Sequence, residues 1–190
     1  TVSIGQAVGA NNRGKASKTV GNTVVLFMVL SVVLMAVLLL LVHPIVAIMS
    51  TPEEAVAGTV SYLTICFIGI PCITAYNIIS SIFRGLGDSK SPMYFIAIAC
   101  VANIGLDYLF MGAFRMGPAG AALGTILAQA LSVVIALLMT LKRKMITVTK
   151  TDFVPQKESM GQIARIGIPI ALQDGLIQVA FIVITIIANR

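Results

Sequence analysis

The chain has 190 residues, of which 58% are hydrophobic and only 11% charged, and its formal net charge is +6. A soluble domain carries about a quarter charged residues, so this composition excludes an ordinary water-soluble fold and points to a lipid environment. Three cysteines without a CxxC pair and a lone histidine, His43, give no framework for disulfides or a metal cluster.

A membrane span needs about 20 predominantly apolar residues. Residues 1–20 read as the tail of an earlier span followed by a polar loop. Thr23 to Val42 is the clearest span and carries no charge. Thr59 to Phe83 is the second, closed by Arg84, and Pro71 in its middle is expected to bend it. Pro92 to Ala113 is the third, interrupted only by Asn103 and Asp107. Gly120 to Leu141 is the fourth, closed by Lys142, Arg143 and Lys144. Ile166 to Ala188 is the fifth, with Pro169, Gln173, Asp174 and Gln178 inside it. The stretch from Lys142 to Arg165 reads as a long amphipathic connector, lying as a helix along the interface or forming a plain loop.

Lys and Arg alternate between the loops. The first loop holds Arg13, Lys15 and Lys18, the third Arg84 and Lys90, and the last Lys142, Arg143, Lys144, Lys150, Lys157 and Arg165. The second loop carries only Glu53 and Glu54, and the fourth only Arg115. This asymmetry places residues 11–20, 84–91 and 142–165 in the cytoplasm of a multi-pass cell-membrane protein. It also accounts for the net charge without nucleic acid, for which interleaved aromatics or a basic soluble domain would be needed.

Asp107 is the most informative residue. An ionisable group within a span is costly and usually faces a bundle interior or water-filled cavity, where it marks an ion path. Asn103 lies one turn earlier on the same face. In the next span Gly120 and Gly124 form a GxxxG, which permits close helix approach. Packing alone accounts for that pair. A functional reading has Thr125 and the small Ala121 facing Asp107 across a narrow gap, where carboxylate, amide and hydroxyl oxygens hold Na⁺, or the carboxylate alone holds a proton. A structural carboxylate is the competing reading of Asp107. Asp174, flanked by Pro169 and Gly175 and accompanied by Gln173 and Gln178, is the candidate for a substrate cavity. The loop Arg84-Gly85-Leu86-Gly87-Asp88-Ser89-Lys90-Ser91-Pro92 lacks the GxxxxGK[ST] spacing of a nucleotide-binding loop and reads as a short turn.

Five stretches in order carry a family likeness: Gln6 to Ala10 with the basic loop after it, Phe83 to Asp88 before Pro92, Asn103 to Asp107, Gly117 to Ala122, and Ile166 to Pro169. With them the chain resembles the multidrug and toxic compound extrusion (MATE) transporters along nearly its whole length. The resemblance implies an all-α, polytopic helical membrane protein of two six-helix lobes. Residues 1–141 would supply most of the amino-terminal lobe, from the end of the second helix to the sixth. Residues 142–165 would be the interlobe loop, and residues 166–190 the first helix of the carboxy-terminal lobe. The start at Thr1 and the end after an apolar run fit an internal piece, whose partner would be the remainder of the transporter.

The resemblance further implies export of organic, often cationic, compounds in exchange for Na⁺ or H⁺, with no other cofactor. The family's amino-lobe cation site falls on Asn103, Asp107 and Thr125, with Tyr62 matched by spacing and a further Asp on a first helix that this chain lacks. A related flippase of lipid-linked oligosaccharides is the nearest alternative and would need a more basic cavity than these spans offer. A non-transporting membrane subunit would leave Asn103, Asp107 and Thr125 pointing apart. A membrane enzyme lacks a candidate catalytic set.

Overall fold

The computed structural model describes residues 1–49, 52–143 and 150–188, and all regular structure among them is helical. In order these are α1 (Val2–Gly9), α2 (Arg13–Ile48), α3 (Glu53–Gly85), α4 (Lys90–Asp107), a π-helical segment (Tyr108–Ala113), α5 (Pro118–Arg143), a 3₁₀ turn (Lys150–Phe153) and α6 (Lys157–Ala188). Five of the helices are long and apolar enough to cross a membrane, so the protein is a multi-pass membrane protein of the all-α class.

The helices outrun the apolar spans, because local capping decides where a helix starts while hydropathy marks only its lipid-facing part. Asn11 takes a left-handed φ of 53°, which Asn tolerates better than most residues. The N–H groups of Asn11 and Asn12 donate to the carbonyls of Val8 and Ala7, both at 2.9 Å, closing α1. The Asn12 side chain then accepts from the Lys15 N–H at 2.9 Å and opens α2. The polar stretch expected as a loop is therefore the first three turns of a 36-residue helix. Its length of about 54 Å exceeds a hydrocarbon core of about 30 Å.

A similar device joins α3 to α4. Gly87, at φ +85°, donates to the Arg84 carbonyl at 3.1 Å, and Asp88 donates to the Phe83 carbonyl at 2.9 Å. The Asp88 carboxylate accepts from the Lys90 and Ser91 N–H groups at 3.1 and 3.0 Å, and from the Ser91 hydroxyl at 2.6 Å. The glycine loop is thus a helix stop followed directly by a helix start. α3 itself remains helical through Pro71.

The core lies among α3, α4 and α5, with α2 against α3. Phe83 and Phe95, exposed by 1% and 0%, meet edge to face at 5.4 Å. The buried Ser132 hydroxyl donates to the Phe95 carbonyl at 2.9 Å. Gly69 lets α5 approach α3, since a Cβ there would stand 2.5 Å from Ile126 Cγ1. Gly85 does the same against Ile4, with 2.9 Å to its Cβ. The Ile4–Gly85 contact and that of Gly21 with the Asp152 carbonyl gather the three basic junctions at one end of the bundle, while Gly58 meets Pro118 at the other.

The connector differs from its sequence reading. Helix α6 begins at Lys157, so residues 157–165 are its opening turns rather than an interfacial helix or loop. Residues 144–149 lie outside the described residues. The turn ahead of α6 is fastened to α2 by Asn22, which is fully buried. Its carbonyl oxygen accepts from the Gln156 N–H at 2.7 Å, and its amide donates to the Lys18 and Asp152 carbonyls at 2.9 and 3.4 Å. Beyond this anchor α6 exposes its apolar side chains, with Leu172 at 63% and Leu176 at 70%.

Candidate functional site

Asp107 ends α4 and Asn103 sits one turn earlier. The Asn103 side-chain amide donates to Asp107 Oδ1 and to Thr125 Oγ1, both at 3.4 Å. The Thr125 hydroxyl donates back to the Ala121 carbonyl at 3.0 Å. Asn103 and Asp107 are half-buried, and Thr125 is exposed. One face of α4 and one face of α5 thus bring carboxylate, amide and hydroxyl together.

Glycines make this approach possible. A Cβ on Gly124 would collide with the Asp107 carboxylate, and a Cβ on Gly120 would stand 3.1 Å from the Cβ of Phe110. The GxxxG face of α5 therefore receives the junction between α4 and the π-helical segment. That segment starts directly after Asp107 and ends with the Phe114 N–H donating to the Leu109 carbonyl at 3.0 Å. Short π-helical stretches within α-helices are often found at functional sites.

The two 3.4 Å bonds are long against the usual value of about 2.9 Å, so the side chains are only loosely tied to each other. A half-turn of the Asn103 amide exchanges its NH₂ for its carbonyl oxygen. Carboxylate, carbonyl and hydroxyl oxygens would then converge, a donor set suited to a hard monovalent cation.

The other expected residues take different places. Tyr62, on α3, is 41% exposed. Ala121 serves through its backbone carbonyl, and the residue under the carboxylate is Gly124. Asp174, Gln173 and Gln178 lie exposed on α6, with Gln173 lining a shallow groove beside Pro169 and Leu172. The reading from sequence missed Gly124 as the floor of the site and missed the π-helical segment. The GxxxG carried the signal for the first, without naming what it would approach. No residue pattern marked the second.

A family model described as MatE matches residues 1–109. The chain is 39% identical over 142 residues to the probable multidrug resistance protein YpnP of Bacillus subtilis, a match covering 75% of this chain and 32% of that protein. It is 30% identical over 178 residues to the probable multidrug resistance protein NorM of Thermotoga maritima, covering 92% and 38%. An inward-facing multidrug resistance MATE transporter of the MOP superfamily superposes with a TM-score of 0.83 at 25% identity, covering 88% of this chain and 39% of that one. A MOP superfamily transporter from Pyrococcus furiosus also reaches 0.83, at 26% identity, covering 90% and 38%. The chain thus spans about a third of YpnP and nearly two fifths of NorM.

Proposed function

The chain belongs to the MATE family of multidrug efflux transporters, and from that premise we propose that it forms part of a cation-coupled antiporter. Its cargo is an organic, often cationic compound exported by alternating access. The coupling ion, Na⁺ or H⁺, is taken at Asp107 with Asn103 and Thr125. The observation that carries this reading is the convergence of those three side chains from two helices, with Gly124 beneath the carboxylate. A bare carboxylate at this depth is costly in lipid. Binding a cation neutralises it and draws the oxygens of α4 and α5 inward, and losing the cation releases them. The π-helical segment beside Asp107 is the element best placed to absorb that movement. The loosely bonded cluster thereby links ion occupancy to the packing of the two helices.

Residues 1–141 are proposed as most of one lobe, residues 142–156 as the interlobe connection and the helix that starts at Lys157 as the first of the other lobe. The basic end of the bundle faces the cytoplasm in this reading, since eleven of the twelve Lys and Arg residues in the loops belong to it. The exposed apolar flank of α6, with Gln173, Asp174 and Gln178, fits a helix that the remainder of a transporter covers, and these polar groups would then line the drug cavity.

The test replaces the aligned 142 residues of YpnP with those of this chain and follows efflux of a cationic dye from vesicles under an imposed Na⁺ or H⁺ gradient. Asp107→Asn is expected to abolish the gradient-driven part. The gradient that fails to drive the unsubstituted chimera identifies the ion not used. Undiminished gradient-driven efflux with Asp107→Asn rejects the site.

A further inference from the structure

We infer that the groove between the first turns of α2 and α6 is a binding site for the phosphate headgroup of an anionic phospholipid. At the basic end of the bundle, Lys15 and Lys18 of α2 face Ser159 and Gln162 of α6 across a recess of about 390 Å³. Asn12, Gly14 and Gln156 complete the lining described. The two lysines lie three residues apart, so both ammonium groups stand on one face of α2. The opening turn of α2 also directs its partial positive charge here. Basic pockets between membrane helices at their interfacial ends are suited to anionic headgroups.

A second recess of about 260 Å³ identifies the ligand as a lipid rather than a free anion. It lies further along α2 and α6, where the start of α1 also borders it, against Val2 and Ile4 of α1, Phe27 of α2 and Ile163, Ile166 and Ile170 of α6. Phosphate-binding groups at the helix ends followed by an apolar surface one to three turns deeper match the order of groups in a phospholipid. Asn22 holds the start of α6 against α2 and so fixes the width of the polar recess. This site is separate from Asp107, which lies at the opposite end of the bundle. The leaflet concerned depends on the proposed topology, but binding itself does not.

The chain in detergent is exposed to equal amounts of phosphatidylglycerol and phosphatidylcholine, and retained lipid is read by native mass spectrometry. Selective retention of phosphatidylglycerol is expected, with a decrease of about thirtyfold for the Lys15→Gln/Lys18→Gln double variant. The Lys15→Arg/Lys18→Arg variant should retain it, which separates charge from folding damage. Equal retention of the two lipids, or an unchanged preference in the Gln double variant, overturns the inference. Displacement of phosphatidylglycerol by millimolar inorganic phosphate also overturns it, because the site would then be reading a free anion.

Discussion

Along the seam between α4 and α5, the end near Phe95 and the end near Asp107 are packed in contrasting ways. At Phe95 the buried Ser132 of α5 donates to the Phe95 carbonyl at 2.9 Å, and the fully buried Phe95 ring packs edge to face on Phe83 of α3. Twelve residues on, about 18 Å by helical rise, the seam is made of glycines against a carboxylate, its side-chain bonds stretch to 3.4 Å, and the helix changes to a π-helical form. Dense apolar packing resists displacement, whereas loosely bonded polar groups can be redrawn at small cost. A helix pair held firmly at one end and free to adjust at the other can turn ion binding into a movement without coming apart.

Substitutions at the two ends should therefore have different consequences. Phe95→Ala should remove the largest amount of stability, about 3 kcal/mol, seen as a lower thermal midpoint by circular dichroism in detergent. Gradient-driven efflux by the YpnP chimera, assayed well below that midpoint, should persist. Loss of coupling in step with loss of stability would erase the distinction between the two ends. Gly124→Ala should have a smaller effect on folding. Overpacking costs about 1–3 kcal/mol and the better helix propensity of Ala offsets about 1 kcal/mol, yet gradient-driven efflux should collapse because the Asp107 carboxylate must move. A Gly124→Ala chimera that still couples would show that the close approach is packing alone. Ser132→Ala should cost least, about 0.6 kcal/mol, the average for a side-chain hydrogen bond between membrane helices. It should leave both transport and the Asp107 site intact, and a larger cost would mean that the Ser132 bond, rather than the Phe95 ring, closes that end.

Much of the candidate site was legible because its parts lie at local spacings. Asn103 and Asp107 are one helical turn apart, and Gly120, Gly124 and Thr125 share one short stretch, so a carboxylate in an apolar run and a small-residue face were visible as residues. Their pairing was legible only as one reading among several. Tyr62 shows the limit: its position along α3 matched a family pattern, but the direction of its side chain depends on how α3 is rotated against its neighbours. The connector reading failed for a related reason. The polar character of residues 157–165 suggested a loop, but the turn ahead of them is fastened to α2 through Asn22, and the helix starts there.

The sequence by itself determined the lipid setting, the number of spans and the gathering of positive charge on alternate loops, because these follow from the transfer of side chains between water and hydrocarbon and need no knowledge of neighbours. It also set the helix limits wherever a cap was local, as at Asn11, Asn12, Gly87 and Asp88. Only the tertiary structure decided that Gly124 lies under Asp107, that the helix changes form at that residue, and that Lys15 and Lys18 share a recess with the start of α6. Those relations depend on the rotation and depth of one helix against another, which many weak contacts spread over the whole bundle settle together.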